Sequence, residues 1–167
     1  IKKVIVYTVN DPSFFLSHRL PLAIQALKNN WEVYLVSDFS KTDQKLFTDS
    51  KIIPVHIPLN KSSVSLRSNL FTLLSLSSKL KELKPNIIHN ITLKMSLLGS
   101  LTSFLGVSSK IINAISGLGY LYTNSRFSLT KIILAILFKV INTIFQPFYI
   151  FQNKNDLKIF KKYWLKN

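Results

Sequence analysis

No cysteine occurs anywhere in the sequence. That excludes a disulfide framework, a thiolate metal site and a cysteine nucleophile. Acidic residues are scarce, with Asp plus Glu at 7, so few candidates exist for a catalytic carboxylate pair. The three histidines, His18, His56 and His89, lie far apart and without an H-x-x-x-H spacing, and no metal site is visible. No Ser-His-acid set and no nucleophile elbow appears. Glycine is limited to four residues, and none falls between the first apolar run and the first helical segment. A G-x-G-x-x-G dinucleotide fingerprint is therefore absent, and a dinucleotide-dependent enzyme is disfavoured. The amino terminus has no apolar stretch with a small-residue cleavage site, so no signal peptide is expected. The longest apolar stretch, Leu129 to Phe145, is interrupted by Lys131, Lys139, Asn142 and Thr143, which argues against a membrane-spanning helix.

What is present is apolar and basic. Hydrophobic residues make up 47% of 167, enough to bury a core and to exclude a disordered tail. Lys plus Arg is 22, giving a formal net charge of +15. The excess is uneven: residues 58–167 carry only Glu82 and Asp156 against fifteen basic residues. A basic half rich in Leu, Ile and Phe points to an anionic partner, nucleic acid or lipid. Only Arg19, Arg67 and Arg126 are arginine. Base readout and stacking favour arginine, so the balance leans toward lipid. An AT-rich coding bias is the competing explanation for the lysines.

Val4-Ile5-Val6-Tyr7, Val33-Tyr34-Leu35-Val36, Ile52 to Ile57, Asn86-Ile87-Ile88-His89, Lys110 to Ile115 and Phe148 to Phe151 read as six short strands. Helical spacing falls between them: Ser17 to Asn29, Ser65 to Leu83, Leu93 to Leu105, Ser128 to Phe145 and Asp156 to Tyr163. Thr8 to Phe15 reads as a loop. Strands alternating with helices, and apolar on both faces, predict a Rossmann-like, doubly wound parallel α/β sheet of about six strands. Ligands in such a sheet bind beyond the carboxyl ends of its strands. Three segments qualify. In the first, Ser17 either caps a helix whose N–H groups face an anion or only caps, and His18 either bonds a ligand or lies on a solvated face. The second is His89 with Asn90 and Thr92, donors and acceptors closing an apolar strand. In the third, Gly117 and Gly119 allow a sharp turn close to a ligand, with Tyr120 and Tyr122 beside them.

The sequence resembles the amino-terminal half of bacterial family 4 glycosyltransferases of the two-domain GT-B architecture. The likeness rests on Phe14-Phe15-Leu16-Ser17-His18-Arg19-Leu20-Pro21, similar to the family's F-F-x-S-H-R-L-P segment, and on Asn30-Trp31-Glu32-Val33, which stands at its G-x-E-V step. It continues at Pro85-Asn86-Ile87-Ile88-His89, at Ser116-Gly117-Leu118-Gly119-Tyr120 and at Gln152-Asn153-Lys154-Asn155-Asp156. The resemblance implies a single Rossmann-like acceptor-side domain over residues 1–167, without the half that binds the nucleotide-sugar, and so no catalysis by this chain alone. It implies transfer of a sugar, hexosyl in type, from a nucleotide-sugar to a lipid-linked or polysaccharide acceptor in cell-envelope glycan synthesis. No cofactor is implied; the catalytic residues stay unassigned. Substrate-binding positions would be Phe15, Ser17, His18, His89, Thr92, Gly117 and Gly119. Partners would be the substrates, the carboxy-terminal domain and an anionic membrane, not nucleic acid, at the inner face of the cytoplasmic membrane. The alternative from a different class is a non-catalytic Rossmann-like module for a nucleotide or nucleic acid.

Overall fold

The computed structural model describes residues 2–60, 63, 65–116, 118 and 129–165. Six strands form one parallel sheet in the order β3-β2-β1-β4-β5-β6: β1 Val4–Thr8, β2 Glu32–Ser37, β3 Ile53–His56, β4 Ile87–Ile91, β5 Lys110–Ile115 and β6 Phe148–Phe151. The expected doubly wound sheet is therefore observed, with its strand order reversing between β1 and β4. Register places Tyr7 beside His89 and Thr8 beside Asn90. Alternation sends these two pairs to opposite faces of the sheet.

Helices α1 Pro12–His18, α2 Leu20–Lys28 and α3 Lys45–Thr48 follow β1 and β2. They cover the face carrying Ile5, Tyr7, Val33 and Leu35, where Phe15, Ala23 and Phe47 pack. The other face carries Val6, Val36 and Ile88 under α4 Leu66–Leu83 and α5 Leu93–Leu101. Further along, α6 Leu129–Phe145 and α7 Lys154–Phe160 enclose a third cluster of Ile115, Leu118, Phe138, Phe160 and Trp164. On β6 the side chains alternate. Tyr149 and Phe151 join that cluster, while Phe148 and Ile150 on the opposite face stand exposed.

Several expected boundaries shift for local reasons. The segment read as a loop contains α1, because Asp11 caps it by accepting from the Ser13 N–H and Pro12 occupies its first turn. The chain then breaks at Arg19 before α2 begins. Asn30, standing where the resembling family has glycine, has φ +60°, a left-handed conformation that asparagine tolerates. The strand expected to end at His89 runs on to Ile91, so His89 is inside β4. The helix expected to reach Leu105 becomes a 3-10 turn over Thr102–Leu105 and stops at Gly106, whose φ is +86°. Asn153 caps α7: its Oδ1 accepts the Asp156 N–H at 2.8 Å, and its Nδ2 donates to the Asp156 carboxylate at 3.0 Å.

The sheet's centre holds a buried polar chain. Thr8 Oγ1 donates to Asn90 Oδ1 at 2.7 Å, Asn90 Nδ2 to Asn113 Oδ1 at 2.9 Å, and Asn113 Nδ2 to Ser100 Oγ at 2.9 Å. Gly99 of α5 sits directly on it: a Cβ there would lie 1.9 Å from Asn90 Oδ1. Alanine in a helix interior is ordinarily worth about 1 kcal/mol over glycine. Here the clash and the broken network reverse the sign, and Gly99→Ala is expected to cost about 3 kcal/mol in urea unfolding. A neutral or stabilising result would show that α5 does not rest on Asn90.

Candidate functional site

The carboxyl edge between β1 and β4 is the point where the sheet's order reverses, and three elements converge there. From β1 comes Tyr7, whose ring packs edge-on to Phe15 at 5.3 Å and lies 5.1 Å from the His89 imidazole. From β4 comes His89 itself, 4% exposed. Its Nε2 is buried and has no hydrogen-bond partner among the described residues. From the break between α1 and α2 comes Arg19, half-buried, whose Nη1 donates to the His18 carbonyl at 3.1 Å. The Arg19 Nε is likewise buried without a partner.

These groups act on one another. Burial, helped by the positive charge of Arg19, lowers the His89 pKa to about 4. Burial pushes the Tyr7 phenol up to about 12, with Arg19 pulling the other way. Burial also depresses Arg19. His89 is thus a neutral imidazole near pH 7, with one buried ring nitrogen unsatisfied inside β4. Such a group gives or takes a hydrogen bond from a ligand without carrying charge. In the sequence Arg19 falls inside the segment read as one helix and within the family-like Phe14–Pro21 run, without a role of its own. Its significance depends on its position beside a strand seventy residues away.

Thr92 opens α5 from the end of β4. Its backbone has φ +80° and ψ 160°, a region other residues leave to glycine. A β-branched residue there stores about 1–3 kcal/mol. The strain is held by two ladder-like bonds: the Thr92 N–H donates to the Ala114 carbonyl at 3.0 Å, and the Thr92 carbonyl accepts from the Ser96 N–H at 2.9 Å. Thr92 Oγ1 and Ser96 Oγ are buried and unpartnered among the described residues, and no side chain caps α5. Lys94, in the first turn of α5, donates to the Asn60 and Ser63 carbonyls at 2.7 and 2.9 Å, which ties the loop after β3 to this helix.

Of the positions singled out in the sequence, the structure joins Phe15 and His89 through Tyr7. Thr92 stands three residues further on, at the same edge. Ser17 and His18 are exposed on α1. Ser17 does not cap a helix. It lies in the last turn of α1, its Oγ 3.1 and 3.2 Å from the Ser13 and Phe14 carbonyls. His18 stacks on Phe14 with ring centroids 4.1 Å apart, its Nδ1 2.7 Å from Ser17 Oγ. Gly117 and Gly119 lie outside the described residues, as do Tyr120 and Tyr122. Among the described residues no group of three or more His, Asp or Glu is placed to hold a metal ion.

The sequence from residue 4 to 147 matches the family model described as glycosyl transferase 4-like. The chain belongs to this family. Its fold is similar to three solved glycosyltransferases. The first is MurG of Acinetobacter baumannii, at TM-score 0.53 and 15% identity over 82% of this chain and 39% of that one. The second is the glycosyltransferase VinC in complex with dTDP, at 0.55 and 11% over 88% and 45%. The third is CalG4, the calicheamicin glycosyltransferase, at 0.52 and 11% over 96% and 41%. At these identities the likeness establishes the fold, one Rossmann-like half of a GT-B architecture. The chain spans less than half the length of these proteins. Among curated proteins none matches the sequence significantly.

The depressed pKa of His89 has a consequence for stability. Above pH 6.5 the imidazole is neutral whether the chain is folded or not. Between 6.5 and about 4 only the unfolded chain takes up the proton, so folding stability falls as pH drops through that window. The loss amounts to about 3 kcal/mol and levels off below pH 4. His89→Gln removes this component. The difference in unfolding free energy between the two proteins, followed from pH 7.5 to 4, is expected to shrink toward acid. A constant difference would place His89 in water.

Proposed function

We propose that this chain is the acceptor-side half of a glycosyltransferase. The whole enzyme transfers a hexosyl group from a nucleotide-sugar to a lipid-linked or polysaccharide acceptor of the cell envelope, at the inner face of the cytoplasmic membrane, and releases the nucleotide. The observation that carries the reading is the neutral, unsatisfied His89 beside Arg19 at the switch point of a glycosyl transferase 4-like fold. A neutral imidazole suits a sugar hydroxyl, and a half-buried guanidinium suits a carboxylate or phosphate on the same substrate. Glycosyl transfer needs no resident cofactor or metal in this half. The nucleotide of the donor falls to a second half, and the exposed Phe148 and Ile150 give that half an apolar surface to pack on. Phe15, Ser17, His18, Thr92, Gly117 and Gly119 remain candidate substrate contacts. The test is sugar transfer from a panel of labelled nucleotide-sugars to membrane lipid extract by the full-length protein. His89→Asn and Arg19→Ala are each expected to lower kcat/KM at least tenfold, roughly 1.4 kcal/mol or more of transition-state binding. Transfer unaffected by either substitution would remove this cleft from the reaction.

The membrane belongs to the same reading. Among the described residues no helix is long and apolar enough to cross a bilayer, so contact would be peripheral. Leu66, Leu70, Phe71 and Leu74 are exposed on the first half of α4, and Leu129, Ile132, Ile133 and Ile136 on the first half of α6. Both helices follow strands of a parallel sheet, so both amino-terminal halves sit at the edge that carries His89. Lys79, Lys81 and Lys84 lie toward the far end of α4. Lys79 is about 20 Å along the axis from Leu66 at 1.5 Å per residue, and it pairs with Glu82 at 2.9 Å. Arg67 and Lys131 are the cations on the apolar halves. Burial of leucine side chains then outweighs charge, at about 1 kcal/mol per cation near an anionic surface. In liposome sedimentation, Leu70→Asp with Leu74→Asp is expected to abolish binding, whereas 0.5 M salt weakens it only partly. Binding untouched by the double substitution would sink this surface.

A further inference from the structure

A concavity lies at the same edge, two to three strands away from His89. It measures about 350 Å³ and is lined by Asp38, Ser40, His56, Asn60, Phe71 and Thr72, among others. Asp38 directly follows β2, His56 ends β3, and Phe71 projects from α4 with 59% of its surface exposed. We propose that this pocket is a subsite for a neutral saccharide ring of the acceptor, distinct from the sugar that reacts near His89. The proposal rests on the glycosyl-transfer reading for its place in the reaction.

The chemistry of the lining selects the ligand class. A carboxylate lines the pocket, and among the described lining residues there is no Lys or Arg, which disfavours phosphates and other anions. The two side chains that face the space are fixed in complementary roles. His56 Nδ1 accepts the Phe39 N–H at 3.1 Å, which leaves the ring proton on Nε2 as a donor. Asp38 Oδ1 accepts the Ser40 N–H at 2.9 Å and lies 3.8 Å from His56 Nδ1. Partial burial works against the Asp38 charge, but hydrogen bonds from the Ser40 hydroxyl and amide and from the Leu59 amide outweigh it and hold the carboxyl below its ordinary value. A carboxylate acceptor and an imidazole N–H donor side by side match the paired hydroxyls of a sugar. The exposed face of Phe71 supplies the apolar floor on which the C–H side of such a ring rests. The volume is within the range of small-ligand sites.

Position gives the subsite its meaning. With strands about 4.8 Å apart, the space beyond β2 and β3 is roughly 10–14 Å from β4. One sugar ring does not fill both places. A substrate reaching from His89 to Asp38 therefore has at least one further sugar unit beyond its reacting end. Lys94 links the two regions, since it stands in the first turn of α5 and holds the carbonyl of Asn60, a pocket residue. Phe71 is shared with the apolar start of α4, so the pocket opens onto the surface proposed to meet lipid.

The experiment is a titration of the full chain, followed by amide NMR, with glucose, galactose, mannose, rhamnose, N-acetylglucosamine and their disaccharides, and with inorganic phosphate as the anionic control. At least one neutral saccharide is expected to shift the Phe39 and Ser40 amides saturably, and phosphate to leave them unmoved. Phe71→Ala and Asp38→Asn should each weaken that binding about tenfold. Both variants are expected to fold, since Phe71 is exposed and Asn keeps the Oδ1 acceptor for Ser40. Unchanged amide shifts elsewhere check this. No shift with any saccharide, displacement by phosphate, or indifference to both substitutions would overturn the subsite. Turnover of the nucleotide-sugar with water as acceptor is measured separately in the full-length protein. Its absence counts against the glycosyl-transfer reading, while normal turnover with an acceptor KM unmoved by Asp38→Asn and Phe71→Ala counts against the subsite alone.

Discussion

The polar chain from Thr8 through Asn90 and Asn113 to Ser100 fixes the register on which the rest of the edge depends. A parallel sheet of apolar strands has little to prevent a slip, and a slip of one residue exchanges its two faces. An amide in mid-strand changes that, because a buried side chain with unmet donors and acceptors costs more than a misplaced isoleucine. Thr8 and Asn90 satisfy each other only when they are paired across β1 and β4. That pairing in turn sets Tyr7 opposite His89 on the other face. The buried His89 imidazole is therefore positioned by hydrogen bonds it takes no part in.

The same network explains why α5 begins as it does. Gly99 lets the helix descend onto Asn90, and Ser100 is held by Asn113. With its middle anchored so close to the sheet, the helix leaves little room for an ordinary turn out of β4. Thr92 absorbs the mismatch in a backbone conformation that suits glycine. The result is an uncapped helix start, two unpartnered hydroxyls and a strained residue, all beside the point where strand order reverses. Sites that do chemistry keep such unmet groups, because a ligand can meet them.

The sequence was informative where local rules apply and silent where distance matters. Runs such as Val4–Tyr7 and Lys110–Ile115 announced strands because both faces of the sheet are covered, and their alternation with helical spacing was enough for the parallel fold. Asp11-Pro12 carried a helix-start signal that would have located α1, yet the run of Phe14 and Phe15 masked it. The likeness at Asn153–Asp156 coincides with a helix N-cap, a structural reason for those residues. Asn30 similarly marks a left-handed turn. By contrast no local pattern gave Arg19, Asp38 or His56 a role, since what brings Arg19 near His89 and Asp38 near His56 is the order β3-β2-β1-β4, and no local pattern encodes strand order.

Parallel topology also decides where misplaced hydrophobicity accumulates. Every connecting helix starts at the carboxyl edge and returns to the amino edge. On α4 the second half is buried through Leu76 and Leu80, while the first half leaves Leu66, Leu70 and Leu74 in solvent. On α6 the inner side is buried through Phe138 and Ile141, yet the outer side remains aliphatic from Leu129 to Ile144. Core packing accounts for the inner sides alone. The outer residues gather at one end of α4 and along one side of α6, with α5 between the two helices. A chain that needed only a folded, soluble domain would gain by placing polar residues there. On α4 these residues sit at the edge that holds His89, whereas on α6 they run the length of the helix from Leu129 to Ile144. The lysines at the far end of α4 show the converse, since charge there serves solvation and a local ion pair.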